Sequence, residues 1–224
     1  MSLTLYYHPL ASFCHKVLVA LYENGTPFRP RVIDLSKEPD RAELRDIWTF
    51  RKFPVVRDHD RNRNIPESSV IIEYLDRYFA GPVRLIPADA DEALDVRLWD
   101  RIFDLHVQFP MQRIVADRRR ARDKADEIGV AEARSTLQTA YAMIDRRMAS
   151  RSWAAGKAFS MADCAAAPAL FYAGVVEPFP AGHRNLAAYF DRLVERPSFR
   201  RVIDEARPYF PMFPFASAIP ERFR

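Results

Sequence analysis

Three short constellations in the first third of the chain carry side chains suited to chemistry. Ala11-Ser12-Phe13-Cys14 falls where a short apolar strand pattern gives way to a helical one. Free N–H groups at a helix start favour an anion and lower the pKa of a nearby thiol, so a hydroxyl at Ser12 suits a bound thiolate. The same residues also read as a plain cap at Ser12 and a small apolar filler at Cys14. Lys52-Phe53-Pro54 precedes a short apolar strand. If the Phe53–Pro54 bond is cis, Phe53 offers its N–H and C=O outward like an unpaired strand edge that can hold a peptide; a trans bond makes it an ordinary strand start. Glu67-Ser68 follows Pro66 and opens a helix. A carboxylate, a hydroxyl and open N–H groups suit a ligand carrying both an ammonium and a carboxylate, and they equally suit an ordinary first helical turn.

Other candidates read as structure. Ser160-Met161-Ala162-Asp163 precedes an apolar run, and a serine followed three residues later by an acid is a capping box. His8, His15, His59, His106 and His183 lack metal-ligand spacing, so no metal site is expected. Arg113, Arg118, Arg119, Arg120, Arg122 and Lys124 are interleaved with Asp117, Asp123, Asp126 and Glu127, the pattern of a solvated helix face. Basic residues number 34 against 30 acids, a net +4 spread over the chain, which makes nucleic acid and anionic membranes poor partners.

The 6 glycines form no G-x-G, which excludes Rossmann and P-loop phosphate cradles. Cys14 and Cys164 cannot build a disulfide framework, nor a zinc site by themselves. The first residues lack the basic and apolar regions of a signal peptide, and no long uncharged apolar stretch spans a membrane. A reducing cytoplasm is the expected location.

These residues need a scaffold, and the periodicity supplies one. Leu3, Leu5 and Tyr7 alternate as a strand. Phe13, Val17, Leu18, Leu21 and Tyr22 follow at helical spacing, with Gly25 placed to end that helix. Residues 28–35 read as a strand, 38–48 as a helix, Val55-Val56 as a strand, 58–64 as a turn with Ile65 returning, and 67–79 as a helix. The order is β-α-β-α-β-β-α over residues 1–80. Gly81-Pro82 and Ile86-Pro87 mark a linker at 81–88, and 89–224 reads as all helical, at 89–122, 129–150, 160–176 and 184–206. The proline- and aromatic-rich tail from Pro208 is expected to wrap back as extended chain. At 26.0 kDa such a chain buries about 70% of its unfolded surface, enough for a core without staples.

In this order and at these distances, the Ser/Cys helix start, Lys52-Phe53-Pro54, Glu67-Ser68 and Ser160-x-x-Asp163 resemble a cytosolic glutathione S-transferase of the theta/zeta-like bacterial kind. The resemblance covers nearly the whole chain. It implies a thioredoxin-like α/β N-terminal domain followed by an all-α C-terminal domain, with glutathione as co-substrate. By the same resemblance the backbone of Phe53, before a cis Pro54, pairs with the cysteinyl part of the tripeptide. Glu67 and Ser68 hold the γ-glutamyl end and Lys52 reaches toward the glycyl carboxylate. The acceptor, an electrophilic and largely apolar small molecule, lies over the first helix start, with Trp99, Phe103, His106 and Val107 as candidates for its wall. A homodimer is implied.

Three departures from the family pattern stand out. Position 11, which in the family carries the catalytic Ser or Cys, is Ala11, so Ser12 is the candidate for that role, with Tyr6, Tyr7 and His8 as weaker substitutes. No C-x-x-C exists, which disfavours dithiol chemistry. Trp48-Thr49-Phe50-Arg51 lacks the family's common Asn-Pro and Gly. The alternatives to conjugation are a non-catalytic ligand or partner binder and a glutathione-dependent isomerase or peroxidase.

Overall fold

Successive residues of the first strand serve different layers. In the computed structural model, which describes residues 2–224, β1 (Leu3–Tyr7) sends Leu3 and Leu5 into the main core, while Tyr6 packs with Ile33, Leu44 and Val55 in a second, smaller cluster. This is the period-two alternation of a strand covered on both faces. Helix α1 (Ser12–Glu23) follows, then β2 (Arg29–Val32), α2 (Glu38–Ile47), β3 (Val55–Asp58), β4 (Arg63–Pro66) and α3 (Ser68–Tyr78). The four strands lie in the order β2-β1-β3-β4, with β1 and β2 parallel and the other pairs antiparallel. Leu44 of α2 joins the small cluster, whereas α1 and α3 contribute to the main core.

Local sequence explains how these elements stop. At the end of α1 the Thr26 N–H donates to the Leu21 carbonyl at 2.9 Å and the Gly25 N–H to Tyr22 at 3.3 Å, with Gly25 at φ 59°. That is a Schellman motif, and it requires the glycine read from the sequence. Gly81 is needed for a different reason: a Cβ there would sit 2.5 Å from the Asn24 Cβ, and Asn24 must stay in place to accept the Val83 N–H at 2.8 Å.

The remainder is helical: α4 (Ala90–Ile102), α5 (Phe109–Asp117), α6 (Glu127–Met148), α7 (Met161–Val176), α8 (Arg184–Glu195) and α9 (Pro197–Ala206). Three expectations need correction. The helix expected at 89–122 contains a π-helical segment, Phe103–Gln108, and ends at Asp117. The helix expected at 184–206 breaks at Arg196 (φ −66°, ψ 130°), because the residue before Pro197 is forced out of helical geometry. The tail is not extended. Arg207–Met212, Ala216–Ala218 and Glu221–Phe223 form 3-10 turns, for which proline's fixed φ is suited. Burial of Phe210, Phe213, Ile219 and Phe223 holds the tail down, with the Phe223 ring 5.1 Å from Phe171.

Helix α7 is the hub of the helical part. Nearly every residue of it is buried, and Ala165, Ala166, Ala167 and Ala169 leave room for α1, α4, α5 and α8 to approach closely. Its start is fixed by the capping box read from the sequence. Buried Asp163 accepts the Ser160 N–H (2.9 Å) and hydroxyl (3.0 Å), the Ala154 N–H (2.9 Å) and the Tyr189 hydroxyl (2.6 Å). Burial pushes its carboxyl up to about 6, and the four donors oppose that shift. Asp163→Ala strips one acceptor from four buried donors and is expected to lower unfolding free energy by about 3 kcal/mol or more. Urea denaturation followed by circular dichroism checks this, and an unchanged midpoint would reduce the box to a local cap.

Candidate functional site

The start of α1 is bare. Its N-cap is Ala11, in extended geometry, and no side chain caps the first turn. The leading N–H groups of α1 therefore remain open, an arrangement that attracts negative charge. Two cavities meet at this point. The first, ≈ 510 Å³, is lined by Ala11, Phe13, Lys52, Phe53, Pro54, Glu67, Ser68 and Ser69, among others; the second, ≈ 500 Å³, shares Ala11, Leu35, Phe53 and Gln112 with it and adds His8, Ser12 and Tyr172.

The structure thus brings Lys52, Phe53, Pro54, Glu67 and Ser68 to one cavity and sets Ser12 in the adjoining one. The Phe53–Pro54 bond is cis. Among the described residues no backbone group bonds the N–H or C=O of Phe53. Glu67 adopts φ 68° and ψ 118°, a conformation that costs a non-glycine residue about 1–3 kcal/mol and concentrates at functional sites. Arg51, also on this wall, has φ 52°. The cavity therefore has exposed cations at Arg51 and Lys52, an exposed carboxylate at Glu67, and the start of α3 at buried Ser68.

Other candidates fall elsewhere. Cys14 is fully buried, and burial raises its thiol pKa, so it is the apolar filler. Tyr6 packs on the α2 side of the sheet; of the three substitutes for position 11, only His8 lines a cavity. The His8 Nδ1 accepts the Leu10 N–H at 3.2 Å, and burial lowers its pKa, which leaves a neutral ring with its proton on Nε2. The wall expected from Trp99, Phe103, His106 and Val107 is corrected: Trp99, Phe103 and Val107 are core and His106 is exposed. The cavities are walled instead by Phe109, Met111, Gln112, Val115, Ala116 and Arg119. The physical reason is packing: α4 and the π segment lie against the buried helix α7, so Trp99, Phe103 and Val107 are taken up in the core and the apolar cavity wall on this stretch begins at Phe109.

Sequence reasoning missed the charged cluster behind the first cavity. Lys16, only 1% exposed, donates to Asp104 at 2.8 Å and to the Ser69 Oγ at 2.9 Å, and its Nζ lies 2.6 Å from Asp100 as an ion pair. Ser69 donates to Asp100 at 2.7 Å and accepts from Arg101 at 2.7 Å, and Arg101 also bonds Asp104. Two cations balance two carboxylates. Burial pushes the Asp104 carboxyl up while Lys16 and Arg101 hold it down. The signal was available in the sequence: Lys16 opens an apolar run, Val17-Leu18-Val19-Ala20-Leu21, and Asp100 and Asp104 sit four apart beside Trp99 and Phe103.

A mixed four-stranded sheet with one cis-proline loop, docked on a helical domain and opening into two joined cavities, defines a two-domain protein of the thioredoxin-like class. The glutathione S-transferase N-terminal domain matches residues 5–83 and the glutathione S-transferase C-terminal domain matches residues 125–192. The chain belongs to the glutathione S-transferase family. It is similar to a glutathione S-transferase of Methylobacterium radiotolerans solved in complex with glutathione sulfonate, at 26% identity and a TM-score of 0.77 over 89% of this chain and 93% of that one. FtsZ-localized protein A of Caulobacter vibrioides is 27% identical over 210 residues, and a stringent starvation protein A homolog of Haemophilus influenzae is 25% identical over 211, each covering 92% of both chains.

Replacing Lys16 by methionine would strand two buried carboxylates with only the half-exposed Arg101 to offset them. The expected loss is about 3–5 kcal/mol of stability, read as a lower denaturant midpoint. Near-wild-type stability would show that the pairing of Lys16 with the two carboxylates contributes nothing net to the fold.

Proposed function

We propose that the protein is a glutathione transferase, with glutathione as co-substrate in the first cavity and an electrophilic, largely apolar small molecule as acceptor in the second. The observation that carries this reading is the gathering of Lys52, Phe53, Pro54, Glu67 and Ser68 around one cavity that opens, past Ala11, onto Ser12. The backbone of Phe53 pairs with the cysteinyl residue. Glu67 receives the γ-glutamyl ammonium, the start of α3 at Ser68 receives its carboxylate, and Lys52 faces the glycyl carboxylate. Each of the three charged groups of the tripeptide then faces a group of opposite sign on the wall.

Ser12 and the open start of α1 hold the sulfur as its anion. Moving a thiol pKa from about 8.5 toward about 6.5 makes thiolate the majority form at neutral pH and corresponds to about 2.7 kcal/mol, the scale of one hydroxyl hydrogen bond plus a helix start. Glutathione supplies the nucleophile: the thiol proton goes to solvent, a carbon–sulfur bond forms, and the leaving group departs with its bonding pair. Ser12→Ala is expected to lower kcat/KM for conjugation of a chloronitrobenzene by about tenfold or more, and unchanged kinetics would remove Ser12 from the mechanism.

A second reading has its own observation. Ala11 stands where the family carries its catalytic Ser or Cys, and two relatives are named for stringent starvation and for FtsZ localization rather than for a transfer reaction. Under that reading the same cavity serves a binder of ligand or partner without turnover, or glutathione acts in an isomerase or peroxidase. Calorimetric titration with glutathione, then with the chloronitrobenzene in the same cell, separates them: heat of turnover supports the transferase, saturable binding without product supports the binder, and an isomerised product supports the third.

The homodimer belongs to this proposal. Leu94 and Leu98 are exposed one turn apart on α4, Val70 is exposed on α3, and the Arg97–Glu73 pair at 2.8 Å holds these helices side by side. Exposed apolar residues gathered on one face of this kind mark an interface. The protein is expected to behave in light scattering as twice 26.0 kDa, and Leu94→Glu with Leu98→Glu is expected to halve that mass. A wild-type monomer would remove the dimer from the proposal.

A further inference from the structure

The second cavity is apolar over most of its wall: Leu10, Phe53, Met111, Val115, Met212 and Phe213 line it. Its polar groups are unusual in what they leave available. Asp34 is the one carboxylate among the residues that line it; one of its oxygens is engaged by Ser36 and the other lies near Lys37. The Ser36 N–H and hydroxyl donate to Oδ1 at 2.9 and 2.7 Å, and Lys37 lies 3.6 Å from Oδ2. His8 has spent its Nδ1 on the Leu10 N–H, so Nε2–H remains as a donor. Tyr172 is buried on this wall, and its hydroxyl has no partner among the described residues.

Arg119 lines the same cavity from an exposed position at its rim. The arginines expected to be a solvated face divide here. Arg113 pairs with Asp126 and Glu132, and Arg120 with Asp117; Arg118, Arg119, Arg122 and Lys124 have no acidic partner among the described residues, and of these only Arg119 lines the cavity. At His8 burial is what chiefly disfavours protonation; Asp34 favours it, and the Arg119 charge opposes it more weakly. The polar capacity of this cavity therefore comprises the Arg119 guanidinium, the His8 Nε2–H and the Tyr172 hydroxyl, against one carboxylate engaged by Ser36 and offset by Lys37. A cationic ligand would have to compete with Lys37 for Asp34 and would lie near the Arg119 charge. The Tyr172 hydroxyl is already shut off from solvent without a partner among the described residues, so a ligand oxygen that reached it would supply the bond it lacks.

We infer that the acceptor is an apolar electrophile bearing a carboxylate or similar anion, paired by Arg119 at the rim, with a further oxygen accepting from Tyr172 on the wall. This rests on the transferase reading of the cavity and names the substrate class within it. A guanidinium recognises a carboxylate through two parallel N–H···O bonds, so the contact adds orientation as well as affinity.

The test compares chlorodinitrobenzene with chlorodinitrobenzoate, the same ring with a carboxylate added. Each enzymatic rate is divided by the uncatalysed rate with glutathione, which cancels intrinsic reactivity. The expected result is an acceleration about tenfold greater for the benzoate in kcat/KM. Arg119→Met should remove that preference, Tyr172→Phe should weaken it, and Arg120→Met should retain it. Equal acceleration of both rings, or a preference that survives Arg119→Met, overturns the inference. Calorimetric titration with dinitrobenzoate, which has no leaving group, keeps it separable from catalysis. If neither electrophile reacts but dinitrobenzoate binds about tenfold more weakly to Arg119→Met than to wild type, the transferase reading falls and the anion site stands. If neither reacts and Arg119→Met changes nothing in the titration, both fall.

Discussion

One buried ammonium holds the two halves of this molecule in register. Lys16 rises from the first helix of the sheet domain into a space lined by Ser69 on α3 and by Asp100 and Asp104 on the far side of the domain boundary. Ionic groups so deeply buried are costly unless paired, so the cluster penalises any shift of one domain against the other that would separate its charges. A slide of either domain would leave a bare charge in the interior. The cavities depend on this because their walls come from both sides: Ser68, Ser69 and Phe53 from one, Phe109, Gln112 and Met111 from the other.

Around that pin, contacts at the far end of α1 close the same interface. Glu23 takes Arg196 and the Ser198 hydroxyl, the Tyr22 hydroxyl donates to Glu205 at 2.6 Å, and Arg201 lies over the Tyr22 ring at 3.9 Å. Helix α1 is thus fastened at both ends, and the open N–H groups of its first turn are held at a fixed place between the cavities. The rigidity of that terminus matters more than its composition, because an alanine cap contributes nothing beyond leaving the amides open.

The sequence was legible where local rules decide the outcome. Alternation at Leu3, Leu5 and Tyr7, the glycine ending α1 and the Ser160–Asp163 box each follow from neighbours within a few residues, and each has its expected place in the structure. The family pattern around Lys52-Phe53-Pro54 and Glu67-Ser68 was readable as well, and the structure collects those residues. The wall of the second cavity was not legible. Which apolar residues of this stretch face the cavity depends on how α4 and the π segment pack on α7, a long-range contact that local composition does not announce. The tail failed for a similar reason: its prolines suggested extended chain, but burial of Phe210, Phe213 and Phe223 decided its course. Lys16 is hard to read because a lysine beside an apolar run usually snorkels, and the acids that pair with it, although themselves set among apolar residues, lie far along the chain.

Phe53 and Ala11 belong to both cavities, and so do Leu35 and Gln112. Two ligands bound side by side against the same residues would share part of their surroundings, so whatever displaces or stiffens Phe53 or Gln112 for one would be felt by the other. Linkage would make that influence symmetric: the factor by which an occupant of the first space alters affinity in the second equals the factor returned. Under the proposed function, any coupling between tripeptide and acceptor would run through these shared residues, with no hinge or lid required.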